Sequence, residues 1–164
     1  MTRLSTERLT LRRARPEDLD ALFAIFSDAE VMRFWSSPPH ADLAVTQAML
    51  DRWLSGGGLV RYFVWEHEGR VIGAGGAPGE VEVGYILGRR HWGQGFAQEA
   101  MGRIIAHLWD TTDWPHLTAD VDPRNRASVL LLTRLGFTVT GYAARTFYVA
   151  GEWSDSVYFR LPRP

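Results

Sequence analysis

Apolar positions along the chain switch between two rhythms, and each switch marks an element. Leu9-Thr10-Leu11-Arg12 alternates as a half-buried strand does. From Pro16-Glu17-Asp18, a proline and two acids suited to a first helical turn, Leu19, Leu22, Phe23 and Phe26 recur at helical spacing, predicting a helix to Phe26. The run Phe34-Trp35-Ser36-Ser37-Pro38-Pro39 breaks the pattern. A second helix is predicted from Ala41 to Leu54, ending at Gly56-Gly57-Gly58. Tyr62 to Glu66 and Arg70 to Gly75 read as strands joined by a turn at His67-Glu68-Gly69.

A strand-like run, Val81-Glu82-Val83-Gly84-Tyr85-Ile86-Leu87, comes next. Then Phe96, Ala97, Ala100, Met101, Ile104, Ile105 and Leu108 form the apolar stripe of a longer helix. His116 to Val121 is a further strand, and Asn125 to Leu135 a short helix stopped by Gly136. Phe137 to Leu161 alternates as two strands around Ala150-Gly151-Glu152. This order predicts one α/β (α+β) domain over residues 1–164, a mixed sheet of about seven strands with helices on both faces.

Composition narrows the chemistry. There is no cysteine, which excludes disulfides, thiolate metal sites and a cysteine nucleophile. All 18 Lys+Arg residues are arginine, so a Walker lysine and a Schiff-base lysine are also absent. No Gly-x-Ser-x-Gly elbow occurs, and His40, His67, His91, His107 and His116 lack zinc-ligand spacing, so no metal is expected. A net charge of −1 without like-charge runs argues against nucleic acid or anionic membrane as partners. With no apolar stretch long enough to span a bilayer and no signal-peptide pattern at the N-terminus, the expected compartment is the cytoplasm.

The informative stretch is Arg89 to Ala100, RRHWGQGFAQEA. It places Gly93 and Gly95 where the strand gives way to the helix. Unpaired amides of a first helical turn, at the positive end of the helix dipole, make a phosphate cradle when glycines let the ligand approach. A dinucleotide fold fits poorly. The third glycine position after Gly93-x-Gly95 holds Gln98, and after Gly73-x-Gly75 it holds Pro78.

A second motif follows, Asp122-Pro123-Arg124-Asn125-Arg126-Ala127-Ser128 and then Leu135-Gly136-Phe137. With GYILGRRHWGQGFAQEA, the opening TERLTLRRARPEDLDAL and the closing EWSDSVYFRL, the chain resembles GNAT-type N-acetyltransferases of the RimJ/RimL-like group over nearly its whole length. The resemblance implies acetyl-CoA as donor, an amine as acceptor, and a splayed sheet gripping the pantetheine. It assigns the pyrophosphate to amides across Arg90, His91, Trp92, Gly93, Gln94, Gly95, Phe96 and Ala97, with Arg90 adding charge. It assigns the pantetheine to Tyr85, Ile86 and Leu87, whose side chains can serve the core at the same time.

The resemblance also names proton carriers. Glu82 is the expected base, unless it is simply a solvent-facing residue; on the motif strand it shares a face with Gly84 and Ile86, opposite Val83, Tyr85 and Leu87. Leu132 occupies the position where many acetyltransferases carry a tyrosine, so Ser128 is assigned to the leaving thiol. Asn125 either caps its helix or also bonds CoA, and Ser128 has the same double reading. No residue is set up to carry an acyl group, which leaves direct transfer in a ternary complex.

For the acceptor, related enzymes point to the Phe34-Trp35 loop and the C-terminal hairpin with Tyr142, Phe147, Tyr148, Trp153 and Asp155. Aromatic walls with acids suit a protein N-terminal α-amine, a small-molecule amine such as a polyamine, antibiotic or aryl amine, or the core itself. A non-catalytic acyl-CoA-binding regulator is the third reading, and a buried Glu82 would favour it. Monomer and homodimer both remain open.

Overall fold

The two rhythms fold into eight strands and four helices in the computed structural model, which describes residues 2–56 and 61–164. Five strands form one antiparallel sheet in sequence order: β1 (Arg3–Ser5), β2 (Thr10–Arg12), β3 (Tyr62–His67), β4 (Arg70–Gly76) and β5 (Gly84–Leu87). The other three form a second antiparallel sheet in which β8 (Glu152–Pro162) lies between β6 (His116–Val121) and β7 (Thr138–Val149). The α/β class therefore holds, with its strands parted into two sheets. A parallel bridge, Glu82 opposite Thr118, joins them and supplies the mixed character. Strand β1 escaped the pattern because it offers only three residues and one buried side chain, Leu4.

Helices cover both faces of the five-stranded sheet. Helix α1 (Leu19–Phe26) follows a single 3-10 turn at Pro16–Asp18, where one continuous helix was predicted. Helix α2 (Leu43–Leu54) begins two residues later than expected because Asp42 caps it, its carboxylate accepting from the Val45 amide at 3.2 Å. Of the glycines predicted to end it, Gly57 and Gly58 lie outside the described residues. Leu22, Ile25, Phe26, Met49 and Leu50 pack on Tyr62, Ala74 and Ile86. On the opposite face α3 (Phe96–Thr111) and α4 (Arg126–Arg134) close over Phe63, Trp65, Leu117 and Phe159.

A buried ion pair fixes the start of α1. Arg12 grips Asp18 through two bonds of 2.9 Å and reaches Glu66 with Nε at 2.8 Å. Fully desolvated, such a pair specifies geometry more than it stabilises, since both charges lose water. It locks the turn before α1 onto β2 and β3.

Trp65, with no exposed surface, explains the other glycine pair. Its ring lies across β4, so a Cβ on Gly73 would stand 2.5 Å from the Ile86 carbonyl oxygen and 3.0 Å from Trp65 Cε3. One on Gly75 would meet Trp65 Cζ2 at 2.6 Å. These glycines make room for an indole rather than for a nucleotide. A bulge in β4 leaves Ile72 without a partner on β3 and turns it toward the α3 side, beside the same ring. Gly73→Ala is expected to lower the unfolding free energy by about 1–3 kcal/mol, the usual cost of overpacking a core, measurable in urea denaturation.

Candidate active site

The site begins where the sheets touch. Val83 N donates to Thr118 O at 2.8 Å, and Thr118 N to Val81 O at 2.9 Å. Beyond this bridge β5 turns to pair with β4, Tyr85 opposite Gly75, while β6 pairs with β8, Asp120 opposite Tyr158. The two strands part, and a gap opens between them. Peptide groups alternate sides along a strand, so the edge that faces β6 at Val81 and Val83 faces the gap at Tyr85 and Leu87. The Leu87 carbonyl there accepts from Trp92 Nε1 at 2.8 Å. Ile86 differs from its two neighbours: by the same alternation its peptide groups face β4, and its side chain is buried against α1 and α2.

The turn after β5 has the form its glycines require. Gly93 and Gly95 take φ of 70° and 82°, left-handed conformations that cost other residues strain. Gly95 is the N-cap of α3, and the first bond of that helix runs from Glu99 N to Gly95 O at 3.0 Å. The amides of Phe96, Ala97 and Gln98 therefore have no intrahelical acceptor. Gln94 Nε2 closes the turn on Arg90 O at 2.9 Å. Arg89 pairs with Asp28 at 3.1 Å, whereas Arg90 is exposed and has no side-chain partner among the described residues. His91 stacks edge-on with Phe96, whose ring is buried beneath the turn, and Trp92 is 45% exposed. Free amides, a helix dipole and an unpaired arginine fit a pyrophosphate; the open edge of β5 fits an extended pantetheine chain.

Glu82 sits at the bridge itself and is exposed to solvent. Partial burial, and then the charge of Asp120, raise its carboxyl above the ordinary value. Asp120 lies two residues beyond Thr118 on β6, on the face away from buried Leu117 and Ala119. The sequence reading missed Asp120, although the alternation of His116 to Val121 was signal enough to place it with Thr118. On the opposite face of β5, Tyr85 packs against the α3 core, and its hydroxyl donates to the Ser128 carbonyl at 3.5 Å. Burial pushes that hydroxyl up to about 12. The structure thus brings Tyr85 and Ser128 together across the gap.

Asn125 is a cap: its side chain accepts from the Ser128 amide at 3.2 Å. The Ser128 hydroxyl has no partner among the described residues, so capping uses only its backbone. Leu132, which holds the position of the tyrosine in many acetyltransferases, is wholly buried in the α3 core as an aliphatic packing residue.

The expected acceptor residues separate. Trp35 packs edge-on to Phe26, 5.9 Å between centroids, and belongs to the α1–α2 core. Tyr148 and Trp153 face each other across β7 and β8 at 5.1 Å, near the Ala150-Gly151 turn. Tyr142 is 74% exposed further along β7, opposite Val157, and Asp155 accepts from the Arg145 amide at 2.9 Å in a bulge of that strand. Phe34 does meet the hairpin, through Arg124. That guanidinium lies 5.6 Å from the Phe34 ring, donates to Asp122 at 2.7 Å and reaches Glu152 at 2.6 Å. No local pattern announced this clasp, because Phe34, Arg124 and Glu152 come from three separate stretches.

A split sheet with an open strand edge beside a glycine-built helix start defines a CoA-dependent acyltransferase fold. The chain belongs to the GNAT acetyltransferases: residues 8–138 match the Acetyltransferase (GNAT) domain. It is 35% identical to an uncharacterized N-acetyltransferase, p20, from Bacillus licheniformis, over 98% of this chain and 96% of that one. It is 34% identical to the ribosomal protein uS5-alanine N-acetyltransferase of Escherichia coli, over 50% of this chain and 42% of that one. The fold is also that of the spermidine N-acetyltransferase from Vibrio cholerae, solved with CoA and spermine: TM-score 0.84, 20% identity, 96% and 97% of the two chains covered. The protein is an N-acetyltransferase with acetyl-CoA as its general co-substrate. No helix among the described residues is long and apolar enough to cross a membrane.

A carbon-detected NMR titration should place the Glu82 carboxyl above the usual glutamate range. Asp120→Asn should bring it down, because removing a nearby negative charge makes ionisation easier. An unmoved value would separate the two groups.

Proposed function

We propose that this chain moves an acetyl group directly from acetyl-CoA to a primary amine, foremost the α-amine of a protein N-terminus. The observation that carries the reading is Glu82: a solvent-open carboxylate of raised pKa at the mouth of the gap, on the face opposite Tyr85. An N-terminal ammonium, with a pKa near 8, loses its proton to such a group through water far more readily than a lysine ammonium near 10. A buried Glu82 would have favoured a non-catalytic binder; its exposure supports an enzyme.

Acetyl-CoA supplies the activated acyl group as a thioester. The Tyr85 amide, on the gap edge, is the donor suited to polarise the thioester carbonyl. Glu82 takes the ammonium proton, and the free amine forms the new bond to carbon as the bond to sulfur breaks. Ser128, with its hydroxyl uncommitted beside Tyr85, hydrogen-bonds the leaving sulfur and relays to it the proton that the nitrogen sheds on becoming an amide. Arg90 and the amides from Gly93 to Ala97 hold the pyrophosphate, Asn125 keeps the start of α4 in place, and Phe34 lines the acceptor side. With no cysteine in the chain, direct transfer needs no acyl-enzyme.

The ribosomal relative, 34% identical over half of this chain, supports an N-terminal acceptor. The Glu82–Asp120 pair favours a second reading, a polycationic amine, which also agrees with the spermidine-acetyltransferase fold. Thiol release from acetyl-CoA should be compared across peptides with free N-termini, polyamines, aminoglycosides and aryl amines. Turnover of peptides supports the first reading; turnover confined to polyamines overturns it in favour of the second.

Glu82→Gln is expected to reduce kcat by about 100-fold or more while leaving the CoA dissociation constant unchanged, since loss of a general base removes about 10²–10⁴ of rate. Undiminished turnover would take Glu82 out of the mechanism.

A further inference from the structure

We propose that Arg8 is a positioning residue for the CoA pyrophosphate: anchored on Glu99, it draws the Gln94 carbonyl back and so turns the Gly95 amide outward into the cradle. The proposal rests on the glycine turn being the CoA cradle. Arg8 lies between β1 and β2, 86 residues before Gln94, yet its Nη1 donates to Gln94 O at 2.9 Å. In a trans peptide the C=O and the following N–H point in opposite directions. A carbonyl held on Arg8 therefore aims the Gly95 N–H away from it. The fit is close: a Cβ on Gly95 would stand 3.4 Å from Arg8 Nη2.

Glu99 is what holds Arg8 there. Its carboxylate accepts from Arg8 Nε and Nη2, each at 2.7 Å, from the Arg8 amide at 2.8 Å and from Thr6 Oγ1 at 2.6 Å. Burial pushes this carboxyl up, but the four donors outweigh it and hold it below the ordinary value. The guanidinium also lies 4.2 Å over the Phe96 ring, at the first residue of α3. Charge matters as well as direction. A bare carboxylate in the first turn of α3 would repel a pyrophosphate bound at the same helix end. Arg8 neutralises it, leaving Arg90 and the helix dipole to act on the ligand.

The test titrates the full chain by calorimetry with CoA and, at millimolar concentration, with pantetheine, which lacks the pyrophosphate. Melting temperatures are recorded without ligand. Arg8→Gln is expected to weaken CoA about tenfold, as loss of charge-assisted hydrogen bonds does, and to leave pantetheine unchanged. Arg8→Lys keeps the charge without the planar fork and should recover only part of the loss; it also serves if the glutamine variant does not fold. Unchanged CoA affinity in the variants overturns the proposal even if the melting temperature falls. Equal loss of CoA and pantetheine overturns it too, by pointing to a distorted fold. Full recovery by lysine leaves only charge and removes the positioning role. An unaltered protein that fails to bind CoA would instead defeat the cradle reading beneath the proposal, so the two failures are distinct.

Discussion

Two hydrogen bonds at one point, between Val81–Val83 and Thr118, govern the rest of the architecture. A continuous ladder from β5 to β6 would satisfy every peptide group on both strands and leave no place for a ligand. Here the ladder stops after a single bridge, and each strand turns to its own sheet. The amide of Tyr85 is left on a free edge, where the Leu87 carbonyl is taken by Trp92 Nε1. Unpaired strand edges are normally a hazard, because any extended chain can add to them. In a GNAT fold that same property suits an extended pantetheine chain.

The bridge also divides the labour between the faces of β5. Because side chains alternate, Glu82 falls on the α1–α2 side, with Asp120 across the gap, while Tyr85 falls on the α3 side beside Ser128. A solvent-open carboxylate and the Tyr85–Ser128 contact thus lie on opposite sides of one strand, with its backbone edge between them. Water reaches the first, while the second is half-buried. The separation follows from the period of two in a strand and would not survive a shift of register by one residue.

Support for this arrangement comes from contacts outside the gap. Trp65 lies against β4 so that Gly73 and Gly75 cannot carry a side chain, and β5 pairs along the same strand. Arg12 and Asp18 fix the turn that starts α1, the helix beneath Ile86. Thr6 and Arg8 grip the first turn of α3 through Glu99. The first two contacts join neighbouring elements, and the third reaches across 91 to 93 residues; each stabilises a position rather than an element.

The local pattern determined the elements themselves: the helical stripe from Phe96 to Leu108, the alternation of the C-terminal hairpin, and the glycines at Gly93 and Gly95 that a left-handed turn demands. These were legible because period and backbone preference are properties of neighbouring residues. The two motifs in order also carried the family. Tertiary structure alone decided that the strands part into two sheets, that Asp120 faces Glu82, that Trp35 is core while Phe34 meets Arg124, and that Arg8 reaches the glycine turn. Those outcomes depend on which distant residues share a face or compete for one hydrogen bond, and periodicity along the chain does not encode distance through space.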